Sequence, residues 1–227
     1  MARFVLKGEC GVDAETLEHG TRVYTDGVHR VCADALLLAR FSQPAPRDKA
    51  ADLCAGCGTV ALAWHDAGHR GPCLAAEIDP AGAALIARGA AGPGCGHIRA
   101  ECADIRALPG GAGLDVCAAN PPYFTGGAKS ASPARAAARH DDTCTVADVC
   151  GAARRLLRMG GRLCICMRPE RLADVICAMR EAGIEPKRLQ FVSHSAGKAP
   201  FLALVEGRRG GGAGLCAEPT LLLREEV

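Results

Sequence analysis

From about residue 49 the chain repeats one unit, a short apolar run, a turn marked by glycine and a longer helix-forming run. The apolar runs are Lys49 to Cys54, Cys73 to Ile78, His97 to Cys102 and Leu114 to Ala119. Strands alternating with helices predict a parallel sheet with helices on both faces, because each crossover covers the strands it joins. Upstream, Asp34 to Phe41 reads as a buried helix broken by Gln43-Pro44-Ala45-Pro46. Downstream, a helix is expected from Thr145 to Met159, stopped by Gly160-Gly161. A strand over Arg162 to Met167, a helix from Glu170 to Ala182, and strands over Leu189 to Ser193 and Phe201 to Glu206 complete the pattern. Residues 125–139 have few large apolar groups and predict a loop, and Arg208 to Gly214 predicts a flexible tip.

A chain of 227 residues with 49% hydrophobic content can bury one sizeable core, so a single domain spanning 1–227 is expected. Residues 1–47 would form an N-terminal extension on the cofactor and substrate side of a catalytic core at 48–227. Lys and Arg total 27 against 25 Asp and Glu, a net charge of +2, so any polyanionic partner must be argued from local patches. No stretch reaches the roughly 18 apolar residues of a membrane span, and Met1-Ala2-Arg3-Phe4 opens no leader pattern; no membrane association, a cytoplasmic location and a monomeric state are the expectations. The 14 cysteines are scattered through apolar runs and read as small core residues. Cys54 and Cys57 stand at C-x-x-C spacing, but no second such pair supplies the other ligands of a zinc site; no metal is expected, and redox sensitivity stays open.

The loop Asp52-Leu53-Cys54-Ala55-Gly56-Cys57-Gly58 lies between strand and helix, where nucleotide-type ligands meet the carboxyl ends of a parallel sheet. It lacks the G-x-G-x-x-G of a dinucleotide site, and Asp52 suits a cationic ligand better than a phosphate. Glu77 ends the next strand, where a carboxylate accepts from both ribose hydroxyls, and Asp104 after the third is placed for an adenine amino group. Singly, each acid is more often a helix cap than a ligand contact; their order on successive strands is the stronger signal.

Asn120-Pro121-Pro122-Tyr123 directly follows the fourth strand. As chemistry rather than a Pro-rich turn, it suits a planar amino group whose lone pair is tied up in conjugation. The Asn120 side-chain oxygen and a Pro carbonyl, its direction fixed by Pro122, can accept the two N–H hydrogens and aim the lone pair at a methyl donor. Tyr123 would stack on the flat target, taken out of its stack if it is a base. A sulfonium leaving group makes in-line positioning the main demand, so no nucleophilic cysteine, metal or general base is needed.

Together with Asp34-Ala35-Leu36-Leu37-Leu38-Ala39, Phe124, Ala138-Arg139-His140, Gly160-Gly161-Arg162 and Arg168-Pro169-Glu170-Arg171-Leu172, these motifs resemble the bacterial tRNA(Val) adenine-N6 methyltransferase family from about Gly20 to Glu225. The resemblance implies a class I, Rossmann-like α/β fold: a seven-stranded, mostly parallel sheet whose last strand is antiparallel. It also implies S-adenosylmethionine as donor, S-adenosylhomocysteine as product, and adenine 37 of a valine tRNA as substrate. Asn120 and Tyr123 match the family's catalytic motif; Gly56, Gly58, Glu77 and Asp104 match its cofactor pocket. The expected cofactor contacts are Asp34, Asp52, Leu53, Gly56, Gly58, Glu77, Ile78, Asp104, Ile105 and Asn120. Two departures stand out: Cys54 occupies a position that usually holds glycine, and Asp141 one that usually holds glutamate.

An anticodon loop needs cations at the pocket mouth. Lys129, Arg135 and Arg139 are candidates beside Tyr123 and Phe124, while a solvated loop explains them equally well. Arg154, Arg155 and Arg158 on the next helix could extend a basic face, although a solvated helix side is the simpler reading. His140 is expected to close the substrate site by hydrogen bonding rather than to move a proton. The same motif chemistry also serves methylation of guanine N2 in ribosomal RNA or of a protein glutamine amide, the latter disfavoured by a short N-terminal segment. A silent cofactor-binding protein is the non-enzyme alternative.

Overall fold

In the computed structural model, residues 4–6, 11–121 and 144–223 are described. Three short strands, β1 (Phe4–Leu6), β2 (Asp13–Thr16) and β3 (Arg22–Thr25), form an antiparallel sheet, followed by α1 (Ala33–Ser42). The repeating unit then runs β4 (Ala50–Leu53), α2 (Thr59–Asp66), β5 (Cys73–Glu77), α3 (Pro80–Ala90), β6 (Ile98–Cys102) and β7 (Leu114–Ala119). It continues with α4 (Val146–Leu156), β8 (Leu157–Met167), α5 (Leu172–Glu181), β9 (Ile184–Ser193) and β10 (Leu202–Arg209).

Strands β4 to β10 build one sheet in the order β9-β10-β8-β7-β4-β5-β6, with β10 antiparallel to both neighbours. This matches the expected seven-stranded class I arrangement. Two two-residue strands, β11 (Cys216–Ala217) and β12 (Leu221–Leu222), extend its edge parallel to β9.

Period-two alternation assigns each strand residue to one of two cores. Ala50, Val116, Ala118, Cys164 and Cys166 pack on the α1, α2 and α3 side; Ala51, Leu53, Cys117, Ala119, Leu163, Ile165 and Met167 pack on the α4 and α5 side. On the first side Trp64 of α2 is fully buried, and its indole N–H donates to the Ala39 carbonyl and to Ser42 Oγ, both at 3.2 Å, locking α2 to α1. On the second, Val146, Val149, Cys150, Ala153 and Leu156 make the apolar stripe of α4. A capping box starts that helix: Asp148 N–H donates to Thr145 Oγ1 at 3.1 Å and Thr145 N–H to Asp148 Oδ2 at 2.9 Å.

The end of α4 corrects the expected helix to Met159. The chain turns extended at Leu157, and Gly160-Gly161 lies inside β8 rather than at a helix stop. Leu157 pairs with Leu114, the register then shifts, and a Cβ on Gly161 would meet the Leu114 carbonyl at 2.9 Å. The glycines allow this bulged close approach, and the buried Leu157 anchors it. Arg208 and Arg209, expected in a flexible tip, belong to β10.

Candidate active site

The sheet registers bring the functional loops to one end. Leu53 pairs with Ala76 of β5 and Ala119 of β7, Glu77 pairs with Cys102 of β6, and Ala119 pairs with Ile165 of β8. Connections leave β4 towards β5 on one side and β7 lies on the other, so the crevice of a parallel sheet opens at this order reversal. The glycine loop, Glu77-Ile78, Asp104 and Asn120 all stand there.

The loop is held rather than slack. Gly56 adopts φ +58 and Gly58 φ +78, both in the left-handed region, and Gly56 N–H donates to Glu77 Oε2 at 2.7 Å. Glu77 Oε1 accepts from Asp79 N–H at 3.0 Å. Each carboxylate oxygen keeps a second lone pair for a ligand hydroxyl. A Cβ on Gly56 would meet no atom within 4 Å, so space opens above the loop, whereas one on Gly58 would press on Ile86 at 3.1 Å. Ile78, beside Glu77, is 51% exposed, an apolar surface suited to a flat ring. An acidic anchor, a bare glycine lane and an exposed apolar side chain fit an adenosyl group. Among the described residues no group of three or more His, Cys, Asp or Glu could hold a metal ion.

Three expected contacts lie deeper. Leu53 and Ile105 are 0% and 4% exposed and pack in the α4-side core, so their side chains serve the sheet rather than an open pocket. Asp52, 1% exposed, shares the parity of Ala50 and turns towards α2, accepting Ala61 N–H at 3.1 Å. Burial pushes its carboxyl up to about 7. Because the folded value is raised, the stability tied to the neutral form is complete below the ordinary carboxylate range and is lost as pH rises through about 7. Asp52→Asn, which stays neutral, should therefore gain melting temperature relative to the parent between pH 6 and pH 8.5; a gap that narrows with pH would contradict this placement.

Asp104 caps a 3-10 turn through Arg106 N–H at 2.8 Å and pairs with the Arg106 guanidinium at 2.6 Å, which holds its carboxyl below the usual range. It stays at the strand end, still partly open. Asn120 continues the parity of Val116 and Ala118, so it points to the α1 side. There Cys166 Sγ donates to its Oδ1 at 3.1 Å and its Nδ2 donates to Cys32 Sγ at 3.6 Å, fixing which end of the amide is the acceptor. Cys32 is the N-cap of α1, accepting Ala35 N–H at 3.4 Å, and the expected Asp34 lies in that helix's first turn. Pro121 is buried. Pro122, Tyr123, Phe124, Lys129, Arg135, Arg139 and His140 lie outside the described residues.

Arg154, Arg155 and Arg158, weighed as a basic face, are tied to neighbouring elements instead. Arg154 donates to the Ala182 carbonyl, Arg155 to the Ile105 and Arg106 carbonyls, and Arg158 lies beyond the helix, paired with Asp115 at 2.6 Å.

Residues not singled out from the sequence also shape the site. A Cβ on Gly82 of α3 would meet Gly56 O at 2.8 Å, Glu77 Cγ at 2.9 Å and His29 Nε2 at 3.0 Å. His29 is 8% exposed and lies between Asp26 at 3.3 Å and Asp79 at 3.4 Å. A glycine inside a helix was the available signal for Gly82; His29, Cys32 and Cys166 reach the site through Asp79 and Asn120, which are remote from them in sequence.

No family model matches the chain. It is 31% identical over 187 residues to the tRNA1(Val) (adenine(37)-N6)-methyltransferase of Dickeya chrysanthemi (strain Ech1591), covering 80% of this chain and 74% of that protein. It is 30% identical to the protein so named in Aeromonas salmonicida (strain A449), covering 79% and 77%. Among solved structures, a predicted O-methyltransferase from Agrobacterium tumefaciens superposes with a TM-score of 0.69 at 21% identity, over 85% of this chain and 88% of that one. The M.jannaschii tRNA m1G37 methyltransferase gives 0.64 at 15% identity, over 91% and 57%. At such identities the structural likeness is one of fold.

Proposed function

Since the chain belongs to the tRNA1(Val) (adenine(37)-N6)-methyltransferase family, we propose that it methylates N6 of adenine 37 in a valine tRNA with S-adenosylmethionine as donor. The observation that carries this reading is the oriented amide of Asn120 at the sheet end shared with Gly56 and Glu77.

S-adenosylmethionine supplies an electrophilic sulfonium methyl group. Glu77 would accept ribose hydroxyls through its unused lone pairs, Gly56 leaves the loop bare for close approach, and Ile78 and Asp104 would hold the adenine by its apolar surface and its amino group. At the target, Asn120 Oδ1 takes one N–H of the amino group while the Pro121 or Pro122 carbonyl takes the other, which draws the nitrogen towards a tetrahedral shape. Cys166 and Cys32 hold that amide in the accepting orientation. By the family resemblance Tyr123 and Phe124 would stack on the base, and Lys129, Arg135, Arg139 and His140 would meet the RNA. A monomeric, cytoplasmic enzyme is part of the same reading; among the described residues no helix is long and apolar enough to cross a membrane.

The test is methyl transfer to total tRNA from labelled donor, followed by nucleoside mass spectrometry. N6-methyladenosine mapped to position 37 of valine tRNA is the expected product. N2-methylguanosine, or label confined to a protein glutamine, would replace the reading with its rivals.

A further inference from the structure

The C-x-x-C spacing suggested Cys54 and Cys57 as partners, but the fold separates their roles. Cys57 is 2% exposed, lies 3.3 Å from Thr59 Oγ1, and burial pushes its thiol up to about 11. Cys54 instead faces Cys144, 90 positions away, with the sulfurs 3.7 Å apart, and both residues are half-buried. The two sides of this contact belong to different elements. Cys144 directly precedes the capping box of α4. Cys54 opens the glycine loop at φ 59, the one non-glycine residue among those described with a positive φ. Two residues on, Gly56 N–H grips Glu77.

The structure assigns Cys54 and Cys144 as a thiol pair that oxidises to a disulfide between the glycine loop and the start of α4, and so weakens S-adenosylmethionine binding. The second half rests on the cofactor reading above. Closing from 3.7 Å to a bond of about 2.05 Å pulls on both sides, and because the glycine loop is already held at φ 59 and by the Gly56 contact to Glu77, the pull on Cys54 disturbs that arrangement. Movement at Cys54 is passed through Ala55 to the Gly56 N–H that positions Glu77.

The oxidant is a low-molecular-weight disulfide, RSSR. The Cys144 thiol is lowered by its hydrogen bond from Cys54, with Arg106 adding to the effect, so its thiolate attacks one sulfur of RSSR and releases RS−. Cys54 then loses its proton and attacks Cys144 Sγ of the mixed disulfide, breaking that S–S bond and releasing the second RS−. The two cysteine protons end on the released thiols, so two protein thiols and RSSR give one protein disulfide and two RSH.

The experiment treats the full chain with oxidised glutathione and follows two readouts. Peptide mapping without reductant, with fragmentation to place the sulfur within peptides 50–70 and 140–154, should show the Cys54–Cys144 bond. Calorimetric titration should show affinity for S-adenosylmethionine about tenfold weaker than in the reduced protein, restored by dithiothreitol. Cys144→Ser and Cys144→Ala should bind as the reduced parent does and ignore the oxidant. Absence of the 54–144 bond overturns the pairing. A formed bond with unchanged affinity, or oxidant sensitivity retained in both Cys144 variants, overturns the effect on binding. Failure of the reduced protein to bind sinks the cofactor reading and the binding half with it, while the peptide map still decides the pairing.

Discussion

Asn120→Ala should lower turnover by about 10²–10³-fold, the cost of removing one fixed polar group from a site where charge shifts during reaction. The amide is held by Cys166 on its oxygen and by Cys32 on its nitrogen, so its acceptor is preset before any substrate arrives. Alanine leaves the amino group of the target conjugated and its lone pair undirected. Neither sulfur contact belongs to the glycine loop, so affinity for S-adenosylmethionine should stay within a fewfold and the melting temperature close to the parent's. Single-turnover methyl transfer alongside a cofactor titration checks both. Retained turnover would dismiss the mechanism; lost cofactor affinity would reassign Asn120 to donor binding.

Gly82→Val should do the reverse, removing cofactor binding through a residue that need not touch the cofactor. A helix gains up to about 1 kcal/mol when glycine is replaced by a better helix former, though a β-branched residue gains less. Against this, the first added carbon meets the backbone oxygen of Gly56 at 2.8 Å, with Glu77 and His29 closing the other sides. His29 is itself braced by Asp26 and Asp79, so no wall yields cheaply. Overpacking of this kind costs about 1–3 kcal/mol. The expected result is a lower melting temperature and more than tenfold weaker binding, because the loop and the carboxylate shift together. Gly96→Ala, where a Cβ would meet no atom within 4 Å, is the control that should bind normally. A Gly82→Val protein that binds as tightly as the parent would show that the α3 approach does not set the loop.

The fold was legible because its strands are apolar runs separated by glycine turns, and β7 falls on the expected Leu114 to Ala119. The end of α4 was not: Gly160-Gly161 looks the same as a helix stop and as a strand bulge until Leu114 is seen opposite. At the candidate site, the motif positions of Gly56, Glu77 and Asn120 were readable because they sit at or just past strand ends, where parity and spacing constrain them. Burial, however, separates Asp52, Leu53 and Ile105 from the open groups, and a sequence motif carries no depth. The contacts Asn120 makes with Cys32 and Cys166 span 88 and 46 positions, beyond any local pattern. The same holds for Cys54 and Cys144, whose contact spans 90 positions.

The chain holds one tryptophan, and it is the fully buried Trp64 between α1 and α2. Native emission therefore comes from a single dry indole, tethered to the carbonyl of Ala39 and the hydroxyl of Ser42. Any event that parts these two helices brings water to that ring and moves its spectrum to longer wavelength. The protein thus contains its own optical gauge of whether the N-terminal helix, with Cys32 at its head, is docked.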